Sequence, residues 1–449
     1  MGNLNAFLDH AARCAEFLRE SGSATIVAHH DADGVATAAI LKSALDRASV
    51  ESEVRFVPQA DPAILEGRGG PLVLWAELGS TLLDEMKARR YRSLVVDHHP
   101  PSGSPGGRVE MLNPYSFGFE GSTEVSGAGV AWLLARALDP ANADLADLGV
   151  VGALADGLDR AAGRLPPLAR TLVETGRGAG VVEAAPGLRA FGASSRPLVA
   201  CLSGLPGLPS PGRAASFLRD LGVPARDRRG WLKWADLDPG ARRRLARALL
   251  HLALATGTEP GSVVGETYRL PRRPPPLRDA TEFASLLNAT ARYGRGEVGL
   301  SLCLESRGLP EALALAGRHR RAISRGVRAL LEEGPAVRRH YRYFDGRETM
   351  PEQVVGAVAT ASLRRLRDPG PMVVFASGLP DGTPSLKVSA RAFGARCALG
   401  PALASAARLA GGVGGGHGSA AGARIPACGL DSFLDGLDAA LAPGAIPRF

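Results

Sequence analysis

The sequence lacks the features of a membrane protein and those of a disulfide-rich protein. It holds no run of about 18 apolar residues free of charge, which a transmembrane helix would need. Its five cysteines lie far apart without a CxxC pair, which argues against a disulfide framework and against a zinc ribbon. Residues 1–20 have the pattern of an amphipathic helix with acidic residues rather than that of a signal peptide. We therefore expect a cytoplasmic protein with no membrane partner.

Internal repeats and low-complexity segments are also lacking. The 56 glycines and 33 prolines follow no period, so they indicate many turns rather than a fibre. A chain of 449 residues is too long for one ordinary core and predicts two or three domains. The formal net charge of +8 favours a polyanionic partner, but arginine so outnumbers lysine that coding bias explains the excess equally well.

Short apolar strands alternate with helices from residue 23 to about residue 160. This alternation predicts right-handed βαβ units around a parallel sheet, and hence an α/β fold. The predicted strands are Ala24–His29, Glu53–Val57, Pro71–Ala76, Ser93–Asp97 and Val109–Leu112. In open sheets of this kind a site forms outside the carboxyl ends of the strands. Polar residues at those ends are therefore the candidates for chemistry.

Composition divides the chain into four regions. Residues 1–160 carry the predicted parallel sheet and form the predicted catalytic domain. Residues 161–275 are rich in arginine and proline and predict a helical insertion or linker. Their arginine runs suit phosphate binding, but a solvated helix face has the same composition. Residues 276–336 predict connector helices, and residues 337–449 predict a smaller α/β domain.

The last two regions allow three finer predictions. The pattern predicts one long basic helix over residues 310–333. It predicts a strand over residues 337–344 and a glycine-rich loop over residues 411–422.

The stretch AHHDADG at residues 28–34 concentrates polar ligands directly after a predicted strand. It sets His29, Asp31 and Asp33 at alternate positions, and the apolar run from Val35 predicts a helix after a tight loop. Two carboxylates and an imidazole at one strand end repel and desolvate one another unless a divalent cation neutralises them. The stretch therefore predicts a metal site.

Three further groups follow other predicted elements. Asp97, His98 and His99 end one strand, Glu77 follows another, and Asp156 ends an apolar helix. Together with the first stretch they offer imidazole nitrogens and carboxylate oxygens, which suit Mn²⁺, Mg²⁺ or Fe²⁺ better than a thiolate zinc site does. The set is large enough for two ions, and paired ions serve hydrolysis at phosphorus.

These motifs resemble, in order, those of the DHH phosphoesterases. HHDADG, AELG, DHH and GALADG match the four DHH motifs, and KVSAR at 387–391 with GGGHGSAAG at 414–422 is similar to the associated DHHA1 domain. The stretch LLNATAR at 286–292 and the overall length resemble the archaeal RecJ-like exonucleases, including those associated with the GINS replication complex. The resemblance covers both ends of the chain well and residues 161–275 poorly.

The resemblance implies a centre of two ions, Mn²⁺ or Mg²⁺, bridged by the acid at position 77. The implied ligands are His29 and Asp31 for one ion, and Asp33, His98 and Asp156 for the other. The family has Asp where this chain has Glu77, and the extra methylene moves the bridging carboxylate. We expect that nuclease activity is retained but is slower than in the family.

The resemblance also implies residues that hold the substrate. Asp97 would orient His98, and His99 would contact the scissile phosphate. In the C-terminal domain the implied contacts to a substrate phosphate or terminus come from Ser389, Arg391, Gly414, Gly415, Gly416 and His417. Glycine suits such a segment because it lets backbone amides approach a phosphate closely.

The resulting expectation is a two-metal phosphodiesterase that trims single-stranded DNA or RNA from an end, in DNA replication or repair. Two alternatives stay open. One is a phosphodiesterase of oligoribonucleotides or cyclic dinucleotides, which needs no long basic groove. The other is a catalytically weak scaffold that binds a GINS-like partner. The eukaryotic replisome relative of the family has lost metal ligands and serves as a helicase subunit, and Glu77 is a change in that direction.

Overall fold

The computed structural model describes residues 2–58, 60–66, 72–366, 370–378, 383–392, 399–416 and 418–442. The chain divides into two units, Met1–Leu313 and Ala314–Phe449. The boundary falls inside a helix at Leu309–Glu333, which matches the long basic helix expected over 310–333. Among the described residues, every helix is too short or too polar to cross a bilayer.

One parallel sheet forms the centre of the first unit. Its strands are β1 (Ser23–His29), β2 (Glu51–Val57), β3 (Leu72–Ala76), β4 (Arg92–Val96) and β5 (Val109–Leu112). They lie in the order β2-β1-β3-β4-β5, and every neighbouring pair is parallel. All five residues of β3 are buried, as in a strand that is covered on both faces. The predicted α/β fold is confirmed.

The first unit also contains helices, some of which pack around this sheet. In chain order they are α1 (Leu4–Arg19), α2 (Ala32–Arg47), α3 (Leu83–Lys87), α4 (Gly121–Glu124), α5 (Gly127–Leu138), α6 (Ala146–Ala155), α7 (Pro167–Gly178), α8 (Leu198–Leu202), α9 (Pro211–Asp220), α10 (Pro239–Ala255), α11 (Ala280–Arg292) and α12 (Gly296–Glu305). Helix α2 contacts β1 and also packs against α5, α6, α11 and α12. Twelve of its 16 residues are buried, so α2 is a core helix rather than an amphipathic surface helix.

Residues 161–275 contain strands that the sequence pattern did not indicate. The strands are β6 (Glu183–Leu188), β7 (Arg226–Asp227), β8 (Gly230–Trp231) and β9 (Val264–Arg269). β6 pairs antiparallel with β9, and β7 with β8. β6 holds Pro186 and exposes much of its length, which hides the alternation of a strand. Helices α8, α9 and α10 bury their own apolar core, which includes Leu198, Leu218 and Leu245.

The second unit is a smaller α/β domain, as predicted. From Leu309 onward its elements are α13 (Leu309–Glu333), β10 (Ala336–Val337), β11 (Arg342–Asp345), α14 (Val355–Leu366), β12 (Met372–Gly378), β13 (Ser385–Arg391), α15 (Leu399–Leu409), β14 (Val413–Gly416), β15 (Ala420–Pro426) and α16 (Leu430–Ala440). The strands form one sheet in the order β10-β11-β12-β13-β15-β14. Only the β11–β12 pair is parallel among its described strands.

Two local predictions for this unit differ from the structure. The predicted strand over 337–344 is a hairpin, in which β10 and β11 pair antiparallel. The predicted loop over 411–422 contains β14 and the start of β15, paired from Val413 with Arg424 to Gly416 with Ala421. Glycine has a low strand propensity, so a strand built on three successive glycines carries no sequence signal.

Candidate metal centre

The carboxyl ends of three neighbouring strands meet at one edge of the parallel sheet. β1 ends at His29, the residue after β3 is Glu77, and the residue after β4 is Asp97. Because β3 lies between β1 and β4, the side chains that follow these strands converge at the edge where parallel sheets form their sites. Glu77 continues the ladder, since its amide donates a hydrogen bond to the Val96 carbonyl at 2.8 Å.

His29, Asp31 and Glu77 form one group of close side chains. The His29 Nδ1 lies 2.9 Å from Glu77 Oε2 and 3.2 Å from Asp31 Oδ2. Asp31 is also the N-cap of α2, where its Oδ1 accepts a hydrogen bond from the Gly34 amide at 2.8 Å. The cap fixes this carboxylate and leaves its second oxygen on the side of His29.

Asp33 is held by the amino end of α5. Its Oδ2 accepts a hydrogen bond from the Gly127 amide at 2.7 Å, and its Oδ1 accepts one from the Ala128 amide at 3.2 Å. Free amides and the helix dipole at an amino terminus both stabilise a carboxylate there. Asp33 is only 1% exposed, so these two amides replace the water that would otherwise solvate it.

The His98 ring is oriented by backbone carbonyls. Its Nδ1 faces the carbonyls of Gly121 at 3.1 Å and Val125 at 3.2 Å, which fixes Nδ1 as the protonated donor. The other ring atom, Nε2, is buried and has no hydrogen-bond partner among the described residues. It lies 3.6 Å from Asp156 Oδ2 and 3.7 Å from Glu77 Oε1. A buried, unpaired lone pair that faces two carboxylates is the arrangement of a histidine ligand.

Donor atoms gather here in three overlapping groups, and within each group they lie within 4.8 Å of one another. The groups are His29, Asp31 and Glu77; Asp33, His98 and Asp156; and Glu77, His98 and His99. Glu77 and His98 each belong to two groups. The structure thus brings all the predicted ligand positions together, and their oxygen and imidazole donors fit a divalent metal such as Mn²⁺ or Mg²⁺.

Burial and mutual repulsion raise the pKa of three carboxyls in these groups. Burial and the charge of Asp31 raise the pKa of Glu77 to about 7. Burial and Glu77 raise the pKa of Asp33 to about 7, and burial and Asp33 raise the pKa of Asp156 to about 7. Burial opposes a charge on His29, but Glu77 and Asp31 outweigh it and raise the pKa of His29 to about 12. Acids this crowded ionise together only when a cation offsets their charge.

Asp97 binds the ring of His99, not that of His98. Its Oδ1 accepts hydrogen bonds from the His99 Nδ1 at 2.8 Å and from the His98 backbone amide at 2.7 Å. The resemblance implied that Asp97 orients His98, but backbone carbonyls occupy that ring nitrogen, so the carboxylate is left for His99. The bond to Asp97 raises the pKa of His99 despite partial burial. The His99 side chain is 50% exposed, which leaves its Nε2 open to a substrate.

Glu77 has a left-handed backbone, with φ of 60°, and packs against two glycines. A Cβ on Gly127 would lie 2.5 Å from Glu77 Cγ, and a Cβ on Gly34 would lie 2.9 Å from Glu77 Oε2. Both glycines therefore leave the space that the longer acid fills. A non-glycine residue in this backbone region carries strain of about 1–3 kcal/mol, which is typical of functional sites.

Two polar residues that support this arrangement were missed by the sequence analysis. The Ser80 amide donates to Asp97 Oδ2 at 3.1 Å, and the Asn113 side-chain amide donates to Ser80 Oγ and to the His99 carbonyl, each at 2.9 Å. Asn113 directly follows β5, so the rule that selected Glu77 at a strand end would have found it. Ser80 gives no such signal, because it lies in a loop.

Known proteins resemble both parts of this chain. Residues 340–442 match the family model of the DHHA1 domain. A crystal structure of exonuclease RecJ bound to manganese has a TM-score of 0.59 with this structure, at 22% identity, and the match covers 98% of this chain and 95% of that one. The C-terminal part of this chain is thus similar to a DHHA1 domain, and the fold of the chain is RecJ-like.

Other known proteins resemble this chain at low identity. RecJ of Thermus thermophilus, solved with Mn²⁺, gives a TM-score of 0.60 at 23% identity, and the match covers 98% of this chain and 55% of RecJ. The chain thus spans about half the length of that RecJ. CDC45 of Entamoeba histolytica gives 0.68 at 10% identity and covers 97% of this chain and 99% of CDC45. An uncharacterized protein of Methanocaldococcus jannaschii is 25% identical over 94% of each chain.

In the DHHA1 domain, the predicted substrate residues lie on adjacent strands. Ser389 in β13 and Gly415 in β14 both pair with Gly422 of β15, so the three residues form one row across the sheet. Gly414 and Gly416 flank this row on the edge strand β14. Ser389 is buried, and Arg391 ends β13, where its Nη1 donates to the Ala390 carbonyl at 2.8 Å. His417 lies outside the described residues.

Proposed function

We propose that this protein is a divalent-metal phosphodiesterase that hydrolyses single-stranded DNA or RNA from an end. The observation that carries the proposal is that Glu77 and His98 are shared between groups of donor atoms only 4.8 Å across. Shared ligands keep two ions close together, and close pairs of ions suit displacement at phosphorus. Crystal structures of the RecJ proteins with this fold contain Mn²⁺ in one case and Mg²⁺ in another, which supports the choice of metal.

The ligands divide between two ions. The proposed sets are His29 and Asp31 for one ion, Asp33, His98 and Asp156 for the other, and Glu77 between them. Bound ions would neutralise the charge of the phosphate and make a water molecule more acidic. Hydrogen bonds within the chain fix the positions of these donors. The Gly34 amide holds Asp31 as the cap of α2, and the amides of α5 hold Asp33.

His99 is the residue proposed to contact the scissile phosphate. Its Nδ1 donates to Asp97 at 2.8 Å, which stabilises the imidazolium form and aims Nε2 away from Asp97. Nε2 lies 4.0 Å from Glu77 Oε1, at the border of the ligand groups. A protonated Nε2 there can bind a phosphate oxygen and can give a proton to the leaving oxygen. In the DHHA1 domain we assign Ser389, Arg391, the glycines of β14 and His417 to the phosphate or terminus of the strand.

Two competing functions are less well supported. A catalytically weak replication scaffold would match the fold of CDC45, but every ligand position is filled in this chain. Fold likeness at 10% identity carries no function. Hydrolysis of oligoribonucleotides or cyclic dinucleotides uses the same metal chemistry and differs only in the length of the substrate. A GINS-like replication complex is the proposed protein partner, and DNA replication or repair the proposed context.

The test is release of nucleotides from labelled single-stranded DNA and RNA with Mn²⁺, by the wild type, Asp31→Asn and Asp9→Asn. Asp9 is an exposed acid on α1, so Asp9→Asn controls for loss of a charge. We expect equal rates for the wild type and Asp9→Asn, and loss of at least about a hundredfold for Asp31→Asn. Equal release of nucleotides by all three proteins would contradict the proposal. Rates that are highest on dinucleotides would shift the substrate to short oligonucleotides.

A further inference from the structure

Some arginine side chains of residues 161–275 form hydrogen bonds or ion pairs within the fold, and others do not. Arg273 pairs with Asp147 in the interior, and Arg272 Nη2 donates to the Ala179 carbonyl at 2.6 Å. Arg242 Nε donates to the Trp234 carbonyl at 3.2 Å. These three side chains stabilise the fold. The sequence runs alone could not separate them from arginines that face a ligand.

Three other arginines line a pocket on α10. The pocket has a volume of about 530 Å³ and is lined by Leu221, Gly240, Arg243, Arg244, Arg247, Ala248 and His251. None of these lining residues is acidic. Arg244 Nη2 donates to the Gly222 carbonyl at 3.3 Å, which ties this guanidinium to the wall of the pocket. The side chains of Arg243 and Arg247 are exposed and form no hydrogen bond or ion pair with any described residue.

The spacing of these side chains indicates the size of the ligand. Arg243, Arg247 and His251 follow one another at every fourth position of α10, so they lie on one face of the helix. At a rise of about 1.5 Å per residue they are spread over about 12 Å, which is more than a single phosphate group can touch. A guanidinium forms paired hydrogen bonds to phosphate oxygens. The ligand that fits is a chain of several successive phosphates.

We infer that this pocket binds consecutive phosphates of the same single strand whose end the metal centre hydrolyses. The inference rests on the proposed function for the identity of the strand. Leu221 and the side of Ala248 give the pocket an apolar part, which suits the sugars and bases between the phosphates. The pocket would hold the strand away from the reacting end and so favour long substrates over short ones.

The test measures binding rather than hydrolysis, so its result does not depend on catalysis. Binding of a fluorescent oligothymidine to the metal-free full chain is followed by anisotropy over a range of salt concentrations. The test variant is Arg243→Gln/Arg247→Gln. The control is Arg228→Gln/Arg229→Gln, which removes the same charge from the exposed turn between β7 and β8. Equal thermal midpoints of the two variants show that both remain folded.

Each phosphate contact to a single strand contributes about 0.7 to the slope of log affinity against log salt. We expect the slope of the test variant to be less steep than that of the wild type by about 1.4, for two contacts. If the affinities of the wild type and the test variant are equal at 1 M salt, the test variant binds about 25-fold more weakly than the wild type at 0.1 M salt. The control should keep the wild-type slope.

Two results would overturn the inference. One is a test variant that binds oligothymidine with the affinity and slope of the control. The other is a larger loss of affinity for poly-L-glutamate of matched charge than for oligothymidine, which would make the pocket a site for acidic peptides. A protein that binds the strand through this pocket but releases no nucleotides would support the pocket as a strand-binding site and refute the proposed nuclease.

Discussion

Gly127 lies against the Cγ of Glu77. A Cβ added to this glycine would stand 2.5 Å from Glu77 Cγ and 3.0 Å from Asp33 Oδ2. The amide of the same residue donates to Asp33 at 2.7 Å. One backbone position at the start of α5 therefore sets the places of two carboxylates in the candidate metal centre.

Gly127→Ala should weaken Mn²⁺ binding by at least about tenfold. The added methyl group must push Glu77 or Asp33 aside, and overpacking of this kind costs about 1–3 kcal/mol. Titration calorimetry of the metal-free protein with Mn²⁺ measures the change. Gly212→Ala in α9 is the matched control, because a Cβ there meets nothing within 4 Å. An alanine at position 127 that leaves the affinity unaltered would contradict the proposed positions of these ligands.

Asp156→Asn should stabilise the metal-free protein at pH 8, and should do so by much less at pH 5. Burial and Asp33 raise the pKa of Asp156 to about 7 in the folded protein, well above the value of an unfolded chain. The stability linked to its protonation is therefore complete below the unfolded pKa and is lost as the pH rises through 7. The amide cannot ionise, so it avoids that loss.

Thermal midpoints of wild type and Asp156→Asn, measured with a chelator at both pH values, check this prediction. The comparison at pH 5 is the internal control, because most of the linked loss of stability occurs as the pH rises from 5 to 7. The same variant should lose most of the increase in midpoint that Mn²⁺ gives the wild type at pH 8. A variant that is less stable than the wild type at pH 8 without metal would argue against repulsion at this carboxyl.

His99→Ala should lower kcat by about 10²–10⁴ and leave the number of bound Mn²⁺ ions unchanged, if the ring acts on the phosphate rather than on a metal. The side chain is half exposed, so its removal leaves no buried cavity. Steady-state rates and metal titrations on the same preparation separate the two roles. Loss of one bound ion would instead assign His99 to the group that it forms with Glu77 and His98.

Arg273→Ala should lower the free energy of unfolding by about 3–5 kcal/mol, because it leaves the buried Asp147 carboxylate unpaired. The Arg273 Nε donates to Asp147 Oδ2 at 2.6 Å, and the two side chains are only 15% and 7% exposed. Urea unfolding measures the loss. Arg228→Ala at an exposed position should change stability by less than about 0.5 kcal/mol. Similar values for both variants would show that Arg273 is not a structural residue.

The sequence predicted the parallel sheet and the convergence of its polar ends. Those predictions rest on short-range patterns: apolar strands alternate with helices, and parallel strands deliver their carboxyl ends to one edge. His29, Glu77 and His98 could be selected for that reason alone. The same rule applied to β5 would have added Asn113.

Details that depend on long-range packing could not be predicted. Asp97 could in principle have held the ring of His98 or of His99, and the choice follows from carbonyls of Gly121 and Val125 in a distant loop. The sequence of β14 predicts a loop, because glycines form a strand only when a partner strand is already in place. The sequence likewise does not show which arginines stabilise the fold and which line the pocket. That distinction depends on the group that each guanidinium contacts in the folded chain.

The crowding of buried acids around Glu77 has a consequence for the history of such proteins. In the absence of a cation the raised pKa values of Asp33, Glu77 and Asp156 mark carboxylates that destabilise the fold, so a neutral replacement that fits the space there makes the chain more stable. Under the proposed function, selection for hydrolysis keeps them. A descendant that is released from this selection, and retained for another task, drifts towards a more stable protein as its acids disappear, while the sheet and the core helix α2 persist.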